Sequence, residues 1–220
     1  MGHARSGACP ARGKLLTKGA MDMKRILVLM CAAALLFALL AGPAGAVGLP
    51  RTDFLAEMCA AVTAGDYAAG ETAAAKRAEK IEIFELPYAQ IDFEELWLLS
   101  KIIYAEAGSY WLPMDWKMAV GEVVLNRMAS PEFPDTMREV LEQPGQYYGQ
   151  GNAYFDSLKP SPECVEAARR LLEGERVLCA PSVVFQSNYR LGSGVFLELK
   201  DAALGSTYLC LSSHPELYLT

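Results

Sequence analysis

Histidine is nearly absent from this 220-residue sequence, which has only His3 and His214. The six cysteines, at 9, 31, 59, 164, 179 and 210, include no pair three apart, and no His-x-x-x-His occurs. Zinc fingers, zincin helices and thioredoxin-like redox sites are therefore excluded as local motifs. G-x-S-x-G, P-loop and G-x-G-x-x-G patterns are missing too, and Gly192-Ser193-Gly194 reads as a turn. A Ser-His-Asp or Cys-His site would have to use His214, six residues from the end of the sequence, a poor place for the geometry such sites need. By elimination, catalysis would rest on carboxylates, with no metal and no cofactor expected. A composition of 52% hydrophobic and 21% charged residues excludes a disordered or collagen-like chain.

The beginning of the chain reads as an address. Lys24-Arg25 precede an unbroken apolar run from Ile26 to Ala41, followed by Gly42-Pro43 and the small residues Ala44-Gly45-Ala46. Basic flank, apolar core and small-residue cleavage site together describe a secretory signal over 23–46, with 1–22 an extension ahead of the true start. The competing reading is an uncleaved membrane anchor, but the run falls short of the roughly 20 apolar residues that span a bilayer. Residues 1–46 hold six of the 20 basic residues and one of the 26 acidic ones, which leaves a net charge of −11 on residues 47–220. An acidic exported domain is a poor partner for nucleic acid or anionic lipid, so membrane contact is expected only through the signal segment if uncleaved. Its four cysteines (59, 164, 179, 210) could form two disulfides or remain four buried thiols.

Two regions follow. Residues 47–90 are rich in alanine, and their periodicity predicts a helical hairpin interrupted at Gly65-Asp66, leading into Leu86-Pro87-Tyr88. Residues 91–220 form the main domain. Asp92 and Glu95 have the spacing of a helix cap and its partner before the series Leu96, Leu99, Ile103. Further helices are predicted over about 115–128, from 134–136 to before Pro144-Gly145, and from Ser161-Pro162 to Gly174. Short strands are expected at 182–186, 195–199 and 207–211. The fold class is α+β, mainly helical, with a small antiparallel β element and a helical hairpin before it.

Glu106 breaks the pattern of its helix. It continues the apolar stripe of Leu96, Leu99 and Ile103, and it sits in the last turn, where the helix dipole disfavours a carboxylate. Burial and dipole would both raise its pKa, as a general acid requires. The plainer alternative is a glutamate at a frayed helix end with its carboxylate in water. The polar, aromatic loop Gln143-Pro144-Gly145-Gln146-Tyr147-Tyr148-Gly149-Gln150 suits carbohydrate, with rings for sugar faces and amides for hydroxyl and acetamide groups. Asn126-Arg127 reads either as the polar end of a helix or as support for a cleft.

Four ordered blocks carry a resemblance: Ile103-Tyr104-Ala105-Glu106-Ala107-Gly108, Val120 to Arg127, Ser130 to Thr136, and Gln143-Pro144-Gly145-Gln146-Tyr147. Together they resemble the spore cortex-lytic, SleB/CwlJ-type cell wall hydrolases, over about residues 92–215. The resemblance implies a lysozyme-like fold, cleavage of the peptidoglycan glycan strand in cell wall or spore cortex, and a role for Glu106 as catalytic acid. Tyr104, Asn126, Gln146, Tyr147, Gln186 and Asn188 are the candidate substrate-binding residues. The chain departs from the family after Glu106: Gly108-Ser109-Tyr110-Trp111-Leu112-Pro113 stands where many members have Arg-Gly-Glu, so the second glutamate's role does not transfer. Glu122 is the nearest other candidate for a second carboxylate. Without one, attack by the muramyl 6-hydroxyl would give a 1,6-anhydro product, the lytic transglycosylase route towards which the resemblance leans. The rivals are a two-carboxylate muramidase and a non-catalytic glycan-binding or sporulation assembly module on the same scaffold.

Overall fold

The computed structural model describes residues 53–84, 91–147 and 152–218. The expected signal, the Leu86-Pro87-Tyr88 connection and the end of the glutamine-tyrosine loop lie outside these residues. Helices α1 (Phe54–Ala64) and α2 (Tyr67–Phe84) form the hairpin, with Asp53 and Asp66 accepting hydrogen bonds from Ala56 and Ala69 at their starts. Helix α3 (Phe93–Ala107) is capped by Asp92, whose Oδ1 accepts the Glu95 N–H at 2.9 Å. Then come α4 (Met114–Met128), the short α5 (Met137–Glu142) and α6 (Ala153–Ser157), and α7 (Pro162–Leu172), which opens with Ser161 as cap and Pro162 in its first turn. Strands β1 (Val183–Ser187), β2 (Gly194–Asp201) and β3 (Gly205–Leu211) precede a final 3-10 turn at Pro215–Tyr218. The mainly helical α+β class expected from the sequence is the one observed, and it is consistent with a lysozyme-like fold.

Helix α3 runs through the middle of the helical lobe. Leu96, Leu98, Leu99, Ile102 and Ile103 are all buried, so its apolar surface is wider than the single stripe read from sequence. Helices α4 and α7 cross it closely enough that only glycine fits at position 121. A Cβ there would lie 2.6 Å from Leu171 and 2.7 Å from Ile103. The alanine-rich hairpin shares this core through Met58, Val62 and Ala73, and Tyr67 stacks against Phe93 and Trp97. Gly70 lets the hairpin settle on Phe93, whose ring would collide with any side chain at that position.

The sheet has the order β1-β3-β2, both pairings antiparallel, with Gln186 opposite Leu209 and Leu199 opposite Thr207. Ala119 and Val123 of α4 pack with Leu178, Val183 and Leu209 and join the sheet to the helices. The last described residues fold back, with Tyr218 donating to the Glu132 carboxylate at 2.7 Å and sharing a hydrogen bond with Ser130 at 2.5 Å. Cys59, Cys164 and Cys210 are free thiols, so the two-disulfide alternative is not the arrangement adopted.

Candidate active site

The polar face of α4 sets the position of β1. Glu122, Asn126 and Arg127 are 1%, 8% and 2% exposed, and each is bound to main chain some 55 residues further along. Glu122 accepts the N–H groups of Val177 and Leu178 on one oxygen, at 2.7 and 2.8 Å, and that of Cys179 on the other, at 3.0 Å. Three successive amides converging on one anion form a nest, and Cys179 takes a left-handed φ of 50° to complete it. Glu122 is therefore corrected from possible second carboxylate to anchor, because both its oxygens are taken by backbone. Asn126 is likewise an anchor rather than a sugar contact: its Nδ2 donates to the carbonyls of Ala180 and Val183.

Glu106 stands at the other end of this framework, in the last turn of α3. The structure does not bury it as its stripe position implied: the side chain reaches solvent. Protein nonetheless crowds the carboxyl from its other sides, and the lost water raises its pKa. The direction matches the sequence expectation. Desolvation is the cause, and among the described residues no neighbouring carboxylate adds a push of its own. Gln186 of β1 reaches across to Glu106, Nε2 donating to Oε2 at 3.2 Å. Residues 80 apart in sequence thus meet because α4 fixes the start of the strand that carries Gln186.

Tyr147 completes the group. Its ring is half-buried against the Arg127 guanidinium, 5.1 Å away, and its hydroxyl has no hydrogen-bond partner among the described residues. Burial raises the pKa of this hydroxyl, the Arg127 charge lowers it, and Glu106 adds a smaller upward push. Gln146 is exposed, and its Oε1 accepts from Arg127 Nη2 at 2.7 Å. Of the remaining candidates, Tyr104 is half-buried against the main core and Asn188 is exposed just past β1. Neither is drawn into this group by a described hydrogen bond.

Arg127 is the residue that sequence reading placed least well. It is buried with no carboxylate partner among the described residues, a costly state for a cation. Its Nε donates to the Val184 carbonyl at 2.6 Å, and Phe133, Tyr147 and Phe185 pack around the guanidinium at 4.8, 5.1 and 5.7 Å. The available signal was its place beside Asn126 with aromatic residues in each of the later blocks. Arg127 Nη1, Tyr147 Oη, Gln186 Oε1 and Gln143 Oε1 are all buried without partners among the described residues. Native proteins leave few such atoms, and two of them, on Tyr147 and Gln186, belong to residues that reach Glu106. A hollow of about 500 Å³ does lie among Met58, Tyr67, Glu71 and Phe93, but none of the candidate residues lines it.

Glu106, raised in pKa, thus has the Gln186 amide bonded to it and Tyr147 within electrostatic reach, the surroundings of a proton donor. Residues 113–193 match the family model of the cell wall hydrolases. The matched stretch starts just after Glu106 and takes in Arg127, Gln143, Gln146, Tyr147, Gln186 and Asn188. It supports a cell wall hydrolase that acts on peptidoglycan. No curated protein and no solved structure matches the chain.

Proposed function

We propose that this cell wall hydrolase domain cleaves the glycan strand between N-acetylmuramic acid and N-acetylglucosamine, with Glu106 as the acid. The observation that carries this reading is the pairing of Glu106, its pKa raised by desolvation, with unsatisfied polar atoms on Tyr147, Gln186 and Arg127. Glu106 protonates the glycosidic oxygen as the bond breaks, which is general acid catalysis. The Gln186 amide serves both protonation states. Its N–H faces the ionised carboxylate, and turned over, its carbonyl accepts the O–H of the acid.

The second step follows from what surrounds Glu106. Retaining hydrolysis places two carboxyl groups about 5–5.5 Å apart. Among the described residues, the hydrogen-bond partner of the Glu106 carboxylate is the Gln186 amide and not a second carboxyl group. With Glu122 held by backbone, the muramyl 6-hydroxyl is the better nucleophile. Glu106, now ionised, takes the proton of that hydroxyl as it attacks the anomeric carbon, and a 1,6-anhydromuramic end results. The apolar run 26–41 with its basic flank supports export to the wall where this substrate lies.

Mass analysis of soluble products from vegetative peptidoglycan and from spore cortex tests the mechanism. Muropeptides ending in 1,6-anhydromuramic acid are expected, and the better substrate identifies the setting. Ordinary reducing muramic acid as the sole product would move the mechanism to a two-carboxylate muramidase.

A further inference from the structure

We propose that Tyr110 and Trp111 form a saccharide-stacking platform beside Glu106, a binding site for further sugar rings of the strand. This rests on the reading above and lies outside the matched residues 113–193. Tyr110 is 88% and Trp111 49% exposed, in contact edge to face at 5.2 Å and 90°. Large rings left in water on a soluble domain call for an explanation, above all when the loop bearing them is held fast.

Beneath them lies Lys117, 1% exposed, whose Nζ donates to the carbonyls of Ser109 at 2.8 Å and Leu112 at 3.1 Å. Leu112 is buried with Ala107, Trp116 and Val120, against Leu199 of β2. The Trp111 side chain lies near the Asp201 carboxylate at the turn between β2 and β3, whose Oδ1 accepts the N–H groups of Ala203 and Leu204. The loop is thus tied to α4 from below and to the sheet from the side. A platform fixed before binding loses little entropy when a ligand arrives.

Position and charge select the occupant. Tyr110 lies four residues beyond Glu106, so their Cα atoms are at most about 14 Å apart, within reach of a strand seated at the acid. A basic surround favours a membrane-inserting aromatic pair, whereas Lys117 beneath these rings is buried against main-chain carbonyls, Asp201 lies beside Trp111, and residues 47–220 are net acidic. A neutral sugar face fits the rings, and its hydroxyls find acceptors in the Asp201 carboxylate.

The test uses the full chain. In a Glu106→Gln background, which leaves strands uncut, binding of purified glycan strands freed of stem peptides is followed by indole fluorescence and sedimentation. Tyr110→Ala/Trp111→Ala should weaken binding about tenfold without moving the melting temperature, and Tyr110→Phe/Trp111→Phe should restore most of it. In the active background the same pair should raise KM on long strands with kcat held. Should the double variant not fold, Tyr110→Ala alone still tests the platform and should weaken binding about threefold. Equal strand affinity with and without the rings overturns the platform, and cleavage by the parent protein would leave the proposed function standing. Loss of binding to vesicles of anionic lipid, or to a protein, with strand affinity unchanged, likewise overturns it. A parent that binds strands through these rings yet releases no product keeps the platform and removes the proposed chemistry.

Discussion

Glu106 and Glu122 are sixteen residues apart on helices that meet in the same core, and the sequence offered the first as catalytic acid and the second as a possible second carboxylate. Their surroundings make them opposites. Glu122 is sealed from water but surrounded by donors, three main-chain N–H groups in hydrogen-bonding range. Glu106 reaches water yet has a single amide partner and a pKa displaced upward by the protein around it. Burial alone therefore does not make an acid. What decides is whether the groups replacing water favour the charged form or the neutral one.

The comparison can be broken at either glutamate. Glu106→Gln keeps the shape and removes the transferable proton, and at least a hundredfold loss of wall-lytic rate is expected with the fold intact. Full lysis by that variant would take Glu106 out of the mechanism. Glu122→Gln should do the reverse: turnover per folded molecule holds, while stability falls by about 2–4 kcal/mol as charge-assisted bonds to the 177–179 turn are lost. Denaturant midpoints measured alongside turnover separate the two results, and a stable but inactive Glu122→Gln would make it part of the chemistry. A smaller effect is expected for Arg127→Lys, which cannot hold Val184 and Gln146 with one planar fork. About a tenfold drop in kcat/KM, with circular dichroism unchanged, is the outcome that supports its positioning of Tyr147 and Gln186.

The finest probe is pH. A carboxyl whose folded pKa exceeds its unfolded value binds its proton more tightly in the native state. Ionising it therefore costs stability as pH rises through the folded pKa. Glu106→Gln should be more stable than the parent at neutral pH, and the advantage should vanish as pH falls below the ordinary carboxylate range. The parent's lytic rate should fall along the same rising limb. A stability gap that widens on acidification would mean that Glu106 is an ordinary surface carboxylate. Cys59 gives a control far from the cleft. Burial pushes its thiol up to about 11, so native alkylation at pH 8 should be slow and should quicken on unfolding.

The helices were readable because their signals are local. Asp92 with Glu95 and Ser161 with Pro162 announce their caps within four residues. The strands showed as short β-type runs between glycine turns. Helix α6 escaped notice: five residues are too few for a period to show, and its determinant is one Asn152 side chain accepting from Tyr154 and Phe155. The site divides the same way. Glu106 stood out because it interrupts an apolar stripe, and Gln186 and Tyr147 because they lie in polar aromatic runs. Glu122 and Asn126 were misread because their partners, at 177–179 and at 180 and 183, lie more than fifty residues away, a relation that spacing along one helix does not contain.

The strand order β1-β3-β2 governs when this site comes into being. Gln186 follows the last α-helix in the chain but finds its lateral neighbour, Leu209, only after the β2–β3 hairpin has been made. Helical contacts of short sequence separation form fast, and strand pairings over longer loops form late. A chain still being synthesised would hold Glu106 in a finished helix while the amide that faces it was unplaced. Lytic competence on this view arrives last, as the sheet closes, so the reading proposed above predicts an enzyme that stays silent until its final strands have paired.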